Sequence, residues 1–171
     1  EVYGNLYNWY AVDDDRSVCP ESYHVPSDEE FIDLVIALGM DSGETNIHSP
    51  GSYTNNSEGS KLAGNYVLWT EGELENNNSF GISGFNALPS GYRTANSLGF
   101  IQLGLETRFW ASSEWDNAFG GSGTLSSNHL LYYEYSGIGW YGNGKNEGLS
   151  IRCLSDETQT TTILVPDNFS T

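Results

Sequence analysis

The clearest hydrophobic period along this chain is helical. Phe31, Leu34, Val35 and Leu38 recur at spacings of three and four, which places them on one face of a helix over residues 27–38. Ser27 sits at the N-cap with Glu30 three positions later, a capping box. Asp28, Glu29 and Glu30 set negative charge against the positive end of the helix dipole, and Gly39 supplies the stop. Elsewhere the apolar runs are short and end in turn residues, as strands do. Residues 5–12 (NLYNWYAV) predict an aromatic strand broken by Asp13-Asp14-Asp15, because Asp is depleted in strands. Residues 108–113, 129–135 and 148–154 predict three more. On 129–135, alternation buries either Leu131, Tyr133 and Tyr135 or Leu130 and Tyr132. Trp110 reads as core.

Between these elements the chain is polar and punctuated. Residues 41–60 read as loop, with a short helix around 59–63. Tyr66 to Trp69 precede an acidic, Asn-rich turn over 71–78. Residues 84–92 (GFNALPSGY) form an irregular packed loop, and 119–124 and 136–146 are Gly-rich loops. The expected domain therefore runs over residues 1–156. Residues 157–171 begin as a Thr-rich linker and end in Ile163-Leu164-Val165-Pro166-Asp167-Asn168-Phe169-Ser170-Thr171. That ending resembles the opening of a pectate-lyase-type parallel β-helix, or is a strand that pairs with the same domain. Glu1-Val2-Tyr3 reads as the start of a strand, the expectation for mature or trimmed protein.

Charge narrows the partners. The chain has 23 acidic and 6 basic residues in 171, for a net charge of −17. Nucleic acid needs Lys and Arg to displace its counterions, and an anionic membrane surface needs them as well, so both are excluded as expected partners. No apolar run reaches the length of a membrane span. Aromatics make up 13% of the chain and charged residues only 17%, with 20 glycines. That balance describes an irregular, loop-rich protein whose Tyr and Trp side chains suit contact surfaces.

Cys19 and Cys153 are the only two cysteines. They could form a disulfide or remain buried, inert thiols; a zinc site needs more Cys and His nearby than the chain groups together. A disulfide would close a loop of 134 residues, would be worth about 5 kcal/mol in the chain-entropy model, and implies an oxidising compartment.

Catalytic signals are sparse. The histidines are His24, His48 and His129. His24, just before the helix, is expected to bond backbone rather than act as a base. No Ser-His-Asp or Cys-His spacing stands out, and no phosphate loop or His-Glu-x-x-His motif appears. Acidic pairs such as Glu71/Glu73 could serve glycoside hydrolysis, but with 23 acids they arise by chance. The expectation is therefore a non-enzyme with no required cofactor. Calcium is the one candidate ion, since it takes oxygen ligands: Asp13, Asp14 and Asp15 in one loop, or Glu114, Asp116 and Asn117 in another. A solvated acidic loop is the alternative for both.

Ligand contact is the better expectation. Residues 110–146 interleave rings, including Phe119, Tyr132 and Tyr133, with amides. The expected binding set is Trp115, Asp116, Asn117, Tyr135, Trp140, Tyr141, Asn143, Lys145 and Asn146. Rings can take the apolar face of a sugar while amides take its hydroxyls. Trp115, Trp140 and Tyr141 are favoured because they fall in Gly-rich loops.

Five ordered segments carry a family resemblance: Leu6-Tyr7-Asn8-Trp9-Tyr10-Ala11-Val12; Cys19-Pro20 through His24-Val25-Pro26-Ser27-Asp28; Gly84-Phe85-Asn86-Ala87-Leu88-Pro89-Ser90-Gly91-Tyr92-Arg93; Phe109-Trp110-Ala111-Ser112-Ser113-Glu114; and Gly148-Leu149-Ser150-Ile151-Arg152-Cys153. In this order they resemble the Fibrobacter succinogenes major paralogous domain over residues 4–156. Ser22-Tyr23 stand where the family carries Gly-Trp, and Ser90 where it carries Gly.

The resemblance implies an α+β, C-type-lectin-like fold similar to the formylglycine-generating enzymes. Small twisted antiparallel sheets, one main helix, a second short helix and long irregular loops are expected. It also implies a secreted or bacterial cell-surface location. The catalytic cysteines of the formylglycine-generating enzymes do not carry over, because Cys19 and Cys153 match the structural positions of this family. Glu114-Trp115-Asp116-Asn117 is similar to the Trp-Asn-Asp calcium motif of sugar-binding C-type lectins with two residues transposed, and its partner motif is missing. The expected partner is a polysaccharide or cell-surface ligand. The alternative is a structural or adhesive building block that forms a homo-oligomer or filament, since an edge strand can pair with a neighbour.

Overall fold

A computed structural model describes residues 2–43, 53–54, 56–96, 99–115 and 123–156. His48, Asp116, Asn117, Phe119 and all of 157–171 lie outside the described residues. The elements, in chain order, are β1 (Tyr23–His24), α1 (Asp28–Ala37), α2 (Glu58–Leu62), β2 (Tyr92–Arg93), β3 (Phe100–Ile101), β4 (Glu106–Glu114), β5 (Leu125–Tyr132), β6 (Gly139–Gly144) and β7 (Leu154–Ser155). They form an α+β arrangement of three antiparallel sheets, β1-β7, β2-β3 and β4-β5-β6. No helix among the described residues is long and apolar enough to cross a membrane.

The helix forms where its period places it. Ser27 Oγ accepts from Glu30 N at 3.3 Å, and Glu30 Oε2 accepts from Ser27 N at 2.8 Å, which completes the capping box. Gly39 N donates to Ile36 O and Met40 N to Val35 O, the paired bonds of a Schellman stop. Phe31 and Val35 are buried, with Leu34 and Leu38 packed against the same core. The short helix expected around 59–63 is α2.

Residues 5–12 are not a strand. Only Tyr7 pairs, exchanging both backbone bonds with Leu149. Asn8 then accepts from Ala11 N through its side chain, and Trp9–Ala11 turn as a 3-10 helix. Asn competes for backbone donors in this way and diverts a strand into a turn. Two indoles staple the segment to the sheet: Trp9 Nε1 donates to Ala111 O at 3.0 Å, and Trp110 Nε1 donates to Tyr7 O at 2.8 Å. Trp110 is fully buried beside Trp9 and Leu149.

The second correction concerns residues 136–146, expected as a loop. They contain β6, fully paired to β5 from Leu125↔Gly144 to Leu130↔Gly139. Glycine ordinarily weakens a strand unless something packs close against it. Here the Trp115 ring occupies the space a Cβ on Gly142 would need, within 2.7–3.0 Å. Likewise β5 spans residues 125–132 and the chain turns at Tyr133, while of residues 148–154 only Leu154 belongs to a regular strand.

Side-chain alternation divides this central sheet. Thr107, Phe109 and Ala111 of β4, Ser127, His129 and Leu131 of β5, and Trp140 of β6 share the face turned to α1. Glu106, Arg108 and Trp110, with Ser126, Asn128, Leu130 and Tyr132, and Tyr141 and Asn143, share the other. Leu130 and Leu131 are both buried, so both faces of β5 are covered. The main core lies between α1 and the first face.

Cys19 and Cys153 form a disulfide with Cα atoms 5.8 Å apart. It ties the turn before β1 to the run entering β7.

Candidate functional site: a tyrosine-lined cleft

The outer face of the central sheet holds a cleft of about 320 Å³, with Tyr53, Gln102, Tyr132, Tyr135 and Tyr141 around Glu106 and Arg108. Its construction follows from the sheet register. Tyr132 is paired to Glu106, and Arg108 lies on the same face, two residues along β4. Arg108 is also level with Gly139, through Leu130. Gly139 has no side chain, and Tyr53 bridges to it, which lets the Tyr53 ring fall into the sheet face. Tyr53 and Tyr135 stack with centroids 4.2 Å apart, and Tyr141 meets Tyr53 edge-on at 6.2 Å.

The floor is polar and cross-bonded, with the buried Asn128 Oδ1 left without a partner among the described residues. Arg108 Nε donates to Glu106 Oε1 at 2.8 Å and Nη1 donates to Asn143 Oδ1 at 2.8 Å. The guanidinium lies over the Tyr92 ring at 4.3 Å and faces Tyr141 at 5.7 Å. Asn128 Nδ2 donates to Asn143 Oδ1 and to Tyr141 O, each at 2.9 Å, and the Asn143 amide donates to Glu147. Burial pushes the Tyr53 hydroxyl well above the ordinary tyrosine range, helped by its hydrogen bond to Tyr141. Tyr53 therefore stays a neutral donor and acceptor across the physiological range. Aromatic walls over a polar floor can stack on an apolar face and hydrogen-bond hydroxyls.

The sequence-predicted residues scatter around this cleft. Tyr135, 43% exposed, and Tyr141 line it, and Asn143 lies in its floor network. Trp140 does not: it is 2% exposed and belongs to the core. Its neighbour Tyr141 points the opposite way, as a strand requires. Trp115 is 8% exposed and covers Gly142, so it is not an open loop ring. Lys145 is buried, with its ammonium 4.2 Å from the Trp9 ring centroid and ion-paired to Glu114. Asn146 is exposed in the turn after β6.

Of the calcium trio Glu114, Asp116 and Asn117, only Glu114 is among the described residues. Glu114 takes Lys145. In the other acidic loop, Asp14 receives Arg16 at 2.6 Å. Sequence reasoning missed Tyr53, Gln102, Glu106 and Arg108. The available signal was the alternation of Glu106 and Arg108 along β4; nothing local pointed to Tyr53.

Two histidine clusters lie elsewhere. On the core face, His129 Nε2 meets Asp28 Oδ1 at 2.9 Å, and Ser127 Oγ donates to the same oxygen at 2.7 Å. The Ser127 proton thus points at a carboxylate and not at an imidazole, and Ser127 and His129 are fully buried. This is not nucleophile–base geometry. Burial holds the His129 imidazole below its usual pKa, with Asp28 opposing.

His24 was expected to bond backbone. Instead its Nδ1 lies 2.5 Å from Asp156 and its Nε2 2.9 Å from Glu30. The Asp156 hydrogen bond raises its pKa, with burial opposing and Glu30 adding. For Glu30, burial pushes up but the Ser27 N–H and His24 prevail and hold it low.

The raised His24 therefore stabilises the fold fully below its unfolded value of about 6.5, and that stabilisation is lost as pH rises through the folded pKa. The depressed Glu30 acts above about 4.3 and is lost as pH falls through its own. Relative to His24→Gln, the wild type should therefore melt higher at pH 5.5, and the gap should close by pH 8.5. Thermal melts at both pH values check this, and a gap that widens toward pH 8.5 would contradict it.

No curated protein and no solved structure matches the chain. A family model does, over residues 1–155, a span that takes in the cleft, the His129 cluster, the disulfide and the His24–Glu30 pair. The chain belongs to the family of the Fibrobacter succinogenes major domain.

Proposed function

We propose that this domain is an extracellular, non-catalytic recognition module that binds carbohydrate in the tyrosine-lined cleft. The cleft itself carries the reading: four tyrosines grouped on one sheet face above an arginine–glutamate–asparagine floor. The disulfide supports an oxidising compartment. The finer fold assignment, C-type-lectin-like, rests on the sequence resemblance, and the small antiparallel sheets with one main helix are compatible with it.

The test is retention of the purified domain on a panel of polysaccharides, with calcium and with EDTA. Tyr135→Ala is the decisive variant because that ring is 43% exposed and its loss leaves the core intact. We expect at least a tenfold loss of affinity, about 1.4 kcal/mol, with an unchanged melting temperature. Wild-type binding by Tyr135→Ala, or no retention on any polysaccharide, would sink the proposal. EDTA sensitivity would reopen the acidic loops as ion sites.

A second reading, a building block of an extracellular assembly, is favoured by one separate feature. Phe100 is 73% exposed and Leu103 60% exposed, and both border a groove of about 630 Å³ along residues 3–7. Sedimentation across a range of concentrations separates the two readings.

A further inference from the structure

We infer that Gln102 is the specificity-determining residue of the cleft and that the ligand it selects is an uncharged sugar polymer. This rests on the carbohydrate reading above. Gln102 lines the cleft in a left-handed conformation, φ 63°, a region that disfavours residues other than glycine, asparagine and aspartate. Such strain persists only where the surroundings impose it, and it gathers at ligand sites.

The surroundings here are specific. The Gln102 carbonyl accepts from Leu105 N at 3.0 Å and Glu106 N at 3.2 Å, which closes the turn that feeds β4. The segment at Gly91 is pressed beneath that turn: a Cβ at Gly91 would lie 2.1 Å from Ile101 O. Gly91 N donates to Glu106 O at 2.8 Å, and Gly104 N to Pro89 O at 3.0 Å. The turn is pinned on both sides. The side-chain amide of Gln102 has no partner among the described residues. A glycine would satisfy this backbone without strain; a glutamine adds only its amide, one acceptor and two donors at the edge of the tyrosine wall.

The floor decides the charge of the ligand. Arg108 is the only cation lining the cleft among the described residues, and it is committed to Glu106, whose side chain is 3% exposed. Arg108 Nε and Nη1 are already engaged by Glu106 and Asn143, so an incoming anionic sugar meets a cation whose charge is already paired and a carboxylate beside it that repels it. The chain's charge of −17 also repels a polyanion at long range.

Affinity electrophoresis through uncharged glucan, xylan and mannan, and through polygalacturonate and alginate, tests both parts. Wild-type protein, Gln102→Gly and Tyr135→Ala are compared, each with a thermal melt. We expect wild type to bind at least one uncharged polymer tenfold more tightly than either polyuronate. Gln102→Gly should lose at least tenfold in affinity while melting no lower than wild type. Gln102→Gly binding within twofold of wild type, while Tyr135→Ala has lost binding, overturns the role of Gln102 and leaves the cleft reading standing. A Gln102→Gly melt several degrees lower overturns it too, since the side chain would then be holding the turn. Equal or tighter binding to a polyuronate overturns the ligand class. No binding to any polymer overturns this inference and the cleft reading together.

Discussion

Replacing Cys19 and Cys153 with serine is expected to destabilise the fold by about 5 kcal/mol. The bond joins residues 134 apart, so its removal frees nearly the whole chain in the unfolded state. That loss rivals the entire stability of an ordinary domain, about 5–15 kcal/mol. Little else would compensate locally. The disulfide sits beside the β1–β7 ladder, which has only the pairs Tyr23↔Ser155 and His24↔Leu154. Beyond that ladder the end is held by the Asp156 N–H bond to Ser22 O and by the His24–Asp156 contact, a partly exposed pair of a kind worth little on its own. Urea unfolding of oxidised wild type and the double serine variant measures the effect as a shift in midpoint at similar slope. A change below about 1 kcal/mol would mean that the reduced chain keeps these ends together by other contacts, contrary to the loop-entropy argument.

How far the sequence could be read varied with how local the signal was. The α1 helix was legible because every determinant lies within thirteen residues: the Ser27–Glu30 box, the Phe31/Leu34/Val35/Leu38 stripe and the Gly39 stop. The disulfide partners were legible as a pair because the chain has no other cysteines. Strand β6 was not legible, because three of its six residues are glycine. What makes it a strand is the aromatic cover from Trp115 over Gly142 and from Tyr53 over Gly139, and that cover arrives from distant segments. The same non-locality hid half of the cleft. Tyr135 and Tyr141 could be selected as ring-bearing residues near loops. Tyr53, Gln102, Glu106 and Arg108 join them only through sheet register and a pinned turn. His24 went astray for a similar reason, since its second carboxylate partner is 132 residues away.

Trp140 and Tyr141 are adjacent in sequence and opposite in consequence. Trp140→Ala is expected to cost about 3–5 kcal/mol, the usual range for truncating a buried aromatic. The ring is 2% exposed, packs edge-on to His129 at 5.1 Å and belongs to the cluster under α1. At this chain length each kcal/mol moves the melting temperature by about 2–4 °C, so a drop on the order of 10 °C should be seen. Trp140→Phe should be much milder. The indole Nε1–H is buried without an acceptor among the described residues, so its removal breaks no hydrogen bond and costs only packing volume. Tyr141→Ala, on the cleft face, should show the reverse signature: a smaller stability loss and impaired ligand retention. Thermal melts and retention of the three variants side by side test the facing of β6 directly. If Trp140→Ala kept its melting temperature and lost retention while Tyr141→Ala bound normally, the two faces would have been exchanged. A one-residue change of register swaps every side chain across a sheet, so the cleft would then lie where the core is drawn here.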